Sequence, residues 1–525
     1  MDKVFTYDTT LRDGAQGEGV SFSDTGKVRL ACILDDLGVD YIEGGFAGSN
    51  PRDRKFFKDV RRENLRHSRI VAFGSTRRTN MDVKDDPQVK GLLAAETEWV
   101  TIYGKSWLLH VKDVLRTDAA GNLQMIADTV GHLHSHGRRV IFDAEHFFDG
   151  FKSDPGYAMQ ALATAVKEGA SAVVLCDTNG GTLPHEAFEI TSQACDRFPG
   201  LEVGIHTHDD SGLAVAITLE AVRAGARHVQ GTINGYGERT GNANLITILP
   251  LLELKMGFHC VGHERLKNLR KVSVVANDLT NQRNDPRQPF VGKASFSHKA
   301  GAHVNAVLKN AATFEHIQPE AVGNQRHILI SELSGGANVK MKAAELGVDV
   351  TKIGKEQIQA VLAAVKEKEK QGYSYESADG SFKILMHKAL NQHTPFFELE
   401  GFRCIVEKRG PDAPCLSEAT IKLKVKGETA LTVGEGDGPV DALNQALRKA
   451  LVRFYPEVDA VTLSDYRVRI LDPERATSAV TRVLIESGDG ERVWGTVGVS
   501  ENIIEASWQA LLDSIEVKLY ERQGQ

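Results

Sequence analysis

Residues 138–178 read RRVIFDAEHFFDGFKSDPGYAMQALATAVKEGASAVVLCDT and contain one strand–helix–strand unit. Its two ends, RRVIFDAE and SAVVLCDT, are short apolar runs of the kind that form buried strands. Between them, PGYAMQALATAVKEGA spaces its apolar residues at helical intervals. Two strands separated by a helix of this length are expected to run parallel in one sheet.

The same alternation of short β-rich runs and helical stretches covers the first half of the chain. Eight strand–helix units over roughly 250 residues are typical of a (β/α)8 TIM barrel. A doubly wound sheet stays open as an alternative, because spacing does not give strand order. The eight runs are VFTYDTT (4–10), VDYIEGG (39–45), RIVAFGS (69–75), WVTIYG (99–104), RRVIFDAE (138–145), SAVVLCDT (171–178), EVGIHTHD (202–209) and HVQGTING (228–235).

The composition indicates a protein of several domains with no affinity for nucleic acid or membranes. The chain has 525 residues, 41% of them hydrophobic, and a net charge of −7. The N-terminal segment MDKVFTYDTTLRDG has no signal-peptide pattern, and no apolar run approaches the ~20 residues of a membrane span. The six cysteines are scattered without paired spacing, which predicts a reducing, cytoplasmic location.

The second half of the chain has a different organisation. Residues 266–372 combine segments of helical periodicity with a polar loop and one expected strand, HILISEL. They end in the charged stretch KEKEKQG. Beyond them, TVGEGDGPVDALNQALRKAL from Thr432 matches TVGVSENIIEASWQALLDSI from Thr496 at an offset of 64 residues. Each copy reads as a strand followed by a helix. This internal duplication predicts a separate α+β domain over residues 373–525.

Polar residues follow the predicted barrel strands, where the active sites of such barrels lie. His206 and His208 are two apart on strand seven, so their side chains point to the same face. Asp13 follows strand one, which neighbours strand eight in a closed barrel, and Asn242 follows strand eight. Two imidazoles, a carboxylate and an amide oxygen predict a site for Mg²⁺ or Mn²⁺, with Zn²⁺ as an alternative.

Other groups at the strand ends are candidates for catalysis and substrate binding. Glu145 follows an apolar strand and is the candidate general base. Arg12 can polarise a carbonyl or bind a carboxylate, and Thr178 can donate a hydrogen bond to a substrate carboxylate. Gln16 is a further candidate for substrate binding. The alternative is a structural role, namely a buried ion pair for Arg12 and a salt bridge at the strand end for Glu145.

Two further histidine clusters are interpreted as structural. His132, His134 and His136 lie in HLHSHG on the helix before strand five, away from the strand ends. We interpret them as part of a solvated helix face, and HCVGH (259–263) as lacking ligand partners.

Several of these motifs together resemble one enzyme family. They are YDTTLRDGAQGEGVSFS, EGGFAGSNP, FDAEHFFDG, LCDTNGG, HTHDDSGLAVA and INGYGERTGNANL. The chain resembles the metal-dependent Claisen-condensing family of 2-isopropylmalate, homocitrate and citramalate synthases, and within it the long citramalate synthase branch. The resemblance covers essentially the whole chain.

The resemblance implies an acyltransferase that condenses acetyl-CoA with pyruvate to (R)-citramalate in isoleucine biosynthesis. It implies a catalytic TIM barrel over 1–265, linker subdomains contributing to the active site over 266–372, and a regulatory dimerisation domain over 373–525. It also implies a homodimer and feedback by an amino acid, with isoleucine the expected inhibitor and leucine the runner-up.

For the site, the resemblance assigns the metal to Asp13, His206, His208 and Asn242, and catalysis to Arg12, Glu145 and His303. Arg12, Gln16 and Thr178 would bind the acceptor. Phe314 departs from the family, since many relatives have tyrosine there, so the role of that hydroxyl is not transferred.

Three alternatives remain open. The first is 2-isopropylmalate synthase, which uses 2-oxoisovalerate for leucine synthesis, since a methyl-sized difference in a pocket is worth only ~1–3 kcal/mol. The second is a lyase or carboxyltransferase on the same barrel, which would not need the duplicated domain. The third is an amino-acid sensor with an inactive barrel, which would be expected to have lost the metal set.

Overall fold

The computed structural model describes residues 2–48, 50–348 and 353–523. The chain forms two compact units, and each is built from two separate stretches of sequence. The first unit comprises Met1–Phe296 and Ile317–Gln325, and the second Ser297–His316 and Arg326–Gln525. The chain therefore passes from the first unit to the second, back, and to the second again.

The core of the first unit is a closed barrel of eight parallel strands in sequential order, in which β1 also pairs with β8. This confirms the predicted TIM barrel and excludes the doubly wound sheet. The strands are β1 (Phe5–Asp8), β2 (Tyr41–Phe46), β3 (Arg69–Ser75), β4 (Trp99–Lys105), β5 (Arg139–Glu145), β6 (Ala170–Asp177), β7 (Glu202–Thr207) and β8 (His228–Gly231).

Twelve helices accompany the strands within the described part of this unit. They are α1 (Asp24–Leu37), α2 (Pro51–Val60), α3 (Pro87–Ala94), α4 (Leu108–Asp113), α5 (Ala119–Ser135), α6 (Phe147–Ser153), α7 (Pro155–Lys167), α8 (Pro184–Arg197), α9 (Ala214–Arg223), α10 (Leu245–Leu254), α11 (His263–Leu266) and α12 (Leu269–Leu279).

Local chemistry explains where these helices begin and end. In α1 the hydroxyl of Ser23 accepts a hydrogen bond from the Gly26 N–H, which caps the first turn. Gly38 ends the helix in the left-handed conformation, at φ 89°, which glycine adopts without strain. Leu30 and Leu34 lie one turn apart and are fully buried. The hydrophobic core between the helices and the barrel strands thus holds α1 against the barrel.

The inside of the barrel is packed rather than open. Tyr7, Tyr41 and Trp99 are buried within it, and the Tyr41 and Trp99 ring centroids are 5.0 Å apart at a steep angle. These aromatic rings fill the interior, so a reaction cavity is expected near the carboxyl ends of the strands.

The second unit contains two three-stranded antiparallel sheets and a small pair of parallel strands. Of the predicted strand HILISEL, only His327–Ile328 pairs, with Ser297–His298. The elements are β9 (Ser297–His298), α13 (Gly301–Lys309), β10 (His327–Ile328), α14 (Gly336–Glu345), α15 (Lys355–Lys370), α16 (Asp379–Ala389), β11 (Phe397–Lys408), β12 (Cys415–Val425), β13 (Glu428–Gly436), α17 (Pro439–Val452), β14 (Thr462–Ile470), β15 (Thr481–Gly488), β16 (Val493–Ser500) and α18 (Ile503–Gln523).

The predicted duplication is confirmed by equivalent contacts. The Thr432 hydroxyl on β13 donates to the Ala446 carbonyl of α17 at 2.7 Å, and the Thr496 hydroxyl on β16 donates to the Ala510 carbonyl of α18 at 2.8 Å. Both pairs are separated by the repeat offset. Each copy is therefore a three-stranded sheet followed by a helix that packs on one of its faces. Among the described helices, none combines the length and the apolarity that a membrane crossing requires.

Candidate active site

A cavity of about 200 Å³ lies at the carboxyl ends of the barrel strands. It brings together seven of the nine predicted site residues and joins them to aromatic and acidic groups. Its lining consists of Arg12, Asp13, Gln16, Phe46, Phe73, Tyr103, Asp143, Glu145, Cys176, Thr178, His206 and His208. Gln16 lies at its exposed side, on the short helix that follows β1.

Asp13, His206 and His208 form a compact buried cluster at this cavity. Asp13 Oδ2 lies 3.4 Å from His206 Nε2 and 3.9 Å from His208 Nε2, and the two Nε2 atoms are 3.4 Å apart. Burial and the neighbouring His206 lower the pKa of His208 to about 4, which favours the neutral ring. Burial alone would lower the pKa of His206, but Asp13 raises it, so a cation bound here would displace a proton from that ring. The donor set of two imidazoles and a carboxylate fits a divalent metal ion.

Gln230 on β8 sets the tautomer of His206. The amide oxygen Oε1 of Gln230 lies 2.9 Å from His206 Nδ1, and an amide oxygen only accepts hydrogen bonds. His206 Nδ1 therefore carries the hydrogen, and Nε2 presents its lone pair to the cluster. Gln230 Nε2 donates to Asp143 Oδ1 at 3.1 Å and lies 3.5 Å from His228 Nε2.

Asn242 is placed beside this cluster by the backbone. It forms an isolated β-bridge with His208, and its Nδ2 donates to the Tyr236 carbonyl at 3.1 Å. Its buried Oδ1 has no hydrogen-bond partner among the residues that the structure describes, and neither has His208 Nδ1. An unpartnered amide oxygen at this place is consistent with a fourth ligand.

Arg12 is held rigidly between two carboxylates. Its Nη1 is 3.1 Å from Asp13 Oδ2, its Nε donates to Glu43, and its guanidinium carbon lies 3.7 Å from the centroid of the Phe73 ring. Burial alone would lower the pKa of Arg12, but Glu43 and Asp13 outweigh it and raise the pKa. Burial would likewise raise the pKa of Asp13, but Arg12 and His206 hold it well below its usual range. Arg12 and Asp13 are thus both charged at neutral pH.

Glu145 faces the cavity from the end of β5 and forms an ion pair with Lys105 at the end of β4. The sequence analysis did not identify Lys105, Gln230 or Asp143 as site residues. Lys105 directly follows the neighbouring predicted strand WVTIYG (99–104), and that position was the available signal. Burial raises the pKa of Asp143 to about 7.

His303 belongs to the second unit. It is exposed on α13, and its ring stacks on Phe314 with centroids 4.2 Å apart and an interplanar angle of 27°. The ring of Phe314 thus fills a stacking role that needs no hydroxyl. The competing His132 lies on α5 and His136 directly follows that helix; their rings are 4.3 Å apart, outside the metal cluster.

Comparison with known proteins covers nearly the whole chain. The HMGL-like family profile matches residues 3–274, the homocitrate synthase post-HMGL domain-like profile residues 290–373, and the LeuA allosteric (dimerisation) domain profile residues 376–519.

Full-length relatives show the same pattern. The chain is 51% identical to an (R)-citramalate synthase of Aquifex aeolicus over 99% of this chain and 98% of that one. It is 49% identical to an (R)-citramalate synthase of Synechocystis over 98% and 96%. A 2-isopropylmalate synthase of Methanocaldococcus jannaschii is 30% identical over 99% and 96%.

Proposed function

Because the chain belongs to the family of (R)-citramalate synthases, we propose that it is an acyltransferase that condenses acetyl-CoA with pyruvate to give (R)-citramalate and CoA. The observation that carries the proposal is the convergence of the Asp13–His206–His208 cluster, Arg12 and Glu145 on one cavity. In this cavity, the metal cluster and Arg12 would polarise the carbonyl group of a bound substrate. Glu145 would provide a carboxylate base beside it.

The metal would be held by Asp13, His206 and His208, with Asn242 as a further ligand. A divalent cation, Mg²⁺ or Mn²⁺ with Zn²⁺ as the alternative, supplies a Lewis acid for the ketone oxygen of the acceptor when it is bound. Arg12 donates hydrogen bonds to the same oxygen, because Glu43 and Asp13 fix its guanidinium at the cavity wall.

Glu145 removes a proton from the methyl group of acetyl-CoA. The carbanion equivalent forms a carbon–carbon bond to C2 of pyruvate as the carbonyl π bond breaks. The former carbonyl oxygen then takes up a proton from solvent and becomes the tertiary hydroxyl. Water then cleaves the thioester, releasing CoA and leaving a carboxylate. Lys105 beside Glu145 keeps the carboxylate oriented, and Thr178 and Gln16 bind the acceptor's carboxylate. His303 is a further catalytic candidate, from the second unit.

The cavity wall favours a small acceptor. Phe46, Phe73 and Tyr103 form a row of rings, with centroids 5.2 Å and 5.5 Å apart along it. Rigid rings on one side leave more room for the methyl group of pyruvate than for the isopropyl group of 2-oxoisovalerate. This supports pyruvate over the 2-isopropylmalate synthase alternative.

The second unit supports dimerisation and feedback. Val433 on β13 is 46% exposed, whereas its repeat equivalent Val497 on β16 is 1% exposed beneath α15 and α16. Leu431 and Ile405 are also exposed on the face that carries Val433. The apolar face of the β11–β13 sheet is thus exposed, whereas the equivalent face of the β14–β16 sheet is covered by helices. An exposed apolar face of this kind suits an interface with a second copy of the chain. We assign isoleucine as the feedback ligand of this homodimer.

The remaining assignments follow the same reasoning. We assign catalysis to residues 1–265, linking subdomains that complete the active site to 266–372, and regulation to 373–525. The cysteines are free thiols, which supports a reducing cytoplasm as the location. The partners are acetyl-CoA, a 2-oxo acid and the feedback amino acid.

CoA release with a panel of 2-oxo acids tests the proposal. Pyruvate should give the highest kcat/KM, chelator should abolish turnover, and divalent metal should restore it. A preference for 2-oxoisovalerate would instead support the 2-isopropylmalate synthase alternative.

A further inference from the structure

The turn between β5 and α6 contains a left-handed residue that is not glycine. His146 has φ 56° and ψ 37° and is buried. Only a few per cent of non-glycine residues adopt this conformation, with asparagine, aspartate and histidine the most frequent, and for β-branched residues it is a genuine outlier. The surrounding structure therefore holds His146 in a strained state, at a turn that borders the reaction cavity.

The peptide group between Glu145 and His146 is held at both ends. The Glu145 carbonyl accepts hydrogen bonds from the Ser106 hydroxyl at 2.7 Å and the Ser106 N–H at 3.3 Å. The His146 N–H donates to Thr178 Oγ1 at 2.9 Å. This one peptide group thus links the carboxyl ends of β4, β5 and β6.

The left-handed conformation of His146 lets the Glu145–His146 peptide group hydrogen-bond to both Ser106 and Thr178 while α6 keeps its position. Phe147 and Phe148 are fully buried, and a Cβ on Gly150 would lie 2.3 Å from the Ser106 carbonyl oxygen. The helix therefore has no room to rotate. A change of φ at His146 must rotate the Glu145–His146 peptide instead, and it would break the bond to Ser106 or the bond to Thr178.

The contact determines how the Thr178 hydroxyl is used. A hydroxyl has one hydrogen to donate, and its oxygen here accepts from the His146 N–H. Within the described ranges the structure gives that hydrogen no acceptor, and Thr178 lines the cavity together with Glu145. The hydroxyl hydrogen is therefore free to be donated to an anion bound in the cavity.

We propose that His146 is a positioning residue, whose left-handed backbone orients the Glu145–His146 peptide so that Thr178 donates its hydroxyl hydrogen to the carboxylate of the 2-oxo acid. This rests on the proposed function, in which Thr178 binds the acceptor. The backbone carries the effect, while the side chain packs against His110 at 4.1 Å between ring centroids.

The test compares two substitutions at one position. Valine cannot adopt the left-handed conformation, whereas asparagine tolerates it. Loss of a hydrogen bond to a charged group corresponds to roughly a tenfold or larger change. His146→Val should therefore raise the KM for pyruvate roughly tenfold or more with little change in the KM for acetyl-CoA, and His146→Asn should keep the pyruvate KM close to the wild-type value.

Glu96→Val is the matched control, because Glu96 is also left-handed, at φ 53°, but lies before β4 outside the cavity. It should lower the melting temperature without changing either KM. Equal effects of the valine and asparagine variants, or a raised pyruvate KM in the Glu96 control, would refute the positioning role.

A double-mutant cycle identifies the route of the effect. In a Thr178→Val background, His146→Val should cause no further rise in the pyruvate KM, whereas additive rises would overturn the proposal. Calorimetric binding of pyruvate without acetyl-CoA repeats the cycle without turnover. Wild-type protein that binds pyruvate but releases no CoA would refute the proposed function alone, and protein that binds no 2-oxo acid would refute both.

Discussion

At the scale of single residues, the site depends on side chains that orient other side chains. Gln230 has three hydrogen-bond neighbours in the barrel, and His228 in turn places Nδ1 2.7 Å from Glu202 Oε1 at the start of β7. With Nδ1 of His228 donating to Glu202, its Nε2 accepts from Gln230, whose oxygen accepts from His206. A chain of hydrogen bonds therefore runs from Glu202 through His228 and Gln230 to His206 in the metal cluster. Each group's role as donor or acceptor determines the role of the next group.

Gln230→Met tests this orientation. Methionine has nearly the same size but cannot accept from His206 Nδ1, so the ring loses its fixed tautomer. We expect Mn²⁺ to bind the metal-stripped variant roughly 10–100-fold more weakly, as measured by electron paramagnetic resonance. Gln288→Met, at another buried glutamine of the first unit, should leave Mn²⁺ affinity unchanged. Equal affinities in both variants would contradict the role of Gln230.

Glu145→Gln tests the base. The amide is nearly isosteric but cannot accept the methyl proton, so we expect kcat to fall by roughly 10²–10⁴-fold with a smaller change in the KM for pyruvate. Steady-state CoA release measures both constants. A kcat close to wild type would exclude Glu145 as the base and would favour His303.

Much of this residue-scale arrangement was not predictable from sequence. His206 and His208 share a face because strand periodicity is fixed, and Asp13 joins them because β1 closes the barrel on β8. Lys105 and Gln230 were missed, because the side chains that meet inside a barrel depend on the stagger between strands. That stagger is a property of the closed sheet and has no local pattern in the sequence.

At the scale of elements, apolar runs predicted the barrel strands closely. RIVAFGS coincides with Arg69–Ser75, whereas HVQGTING pairs only over His228–Gly231, since the chain turns after the glycine. The short helices α4 and α6 were not predicted. With six and seven residues, they do not complete two turns and show too little periodicity to be recognised.

The contact of α18 with α16 makes the stability of the second unit depend on pH. Burial raises the pKa of Asp513 on α18 to about 6, although the Ser381 hydroxyl lowers it by hydrogen bonding. The folded protein thus holds a proton between about pH 4 and pH 6 that the unfolded chain has lost. Stability must therefore fall as the pH rises through this window and then level off.

Asp513→Asn removes this titration while keeping the size of the side chain. We expect the melting temperature of the variant, relative to wild type, to rise between pH 4 and pH 6 and to stay raised at pH 7, as measured by differential scanning calorimetry. Asp441→Asn, on the exposed start of α17, is the control and should show no such trend. A constant difference between Asp513→Asn and wild type would show that Asp513 does not titrate in this range.

At the scale of the whole molecule, the repeated unit is the feature with functional consequences. The α14–α15 segment shares an apolar core with α16 and β16, so one sheet of the duplicated pair is covered by helices of its own chain. The sheet of β11–β13 keeps its apolar face exposed. The sequence predicted the repeat but not this asymmetry, because both copies have similar apolar spacing.

Val433→Lys places a charge on the exposed face. We expect it to convert the proposed homodimer to monomer in analytical ultracentrifugation and to reduce isoleucine inhibition, since a coupling of ~1–3 kcal/mol needs both halves of the interface. Val433→Ile keeps the face apolar and should behave as wild type. A Val433→Lys variant that remained dimeric and fully inhibited would place the interface elsewhere.

The path of the chain between the two units also constrains how this protein can be recombined. The return segment Ile317–Gln325 is anchored in the first unit, where Asn324 Nδ2 donates to the Phe290 and Gly292 carbonyls and Val322 is fully buried. A chimaera with a related enzyme made at one crossover in this region would divide a unit between the two parents. A crossover before Ile317 separates the return segment from its seat, and one after Gln325 separates residues 297–316 from the rest of the second unit. Hybrids that exchange whole units of this enzyme therefore need three breakpoints, after Phe296, after His316 and after Gln325.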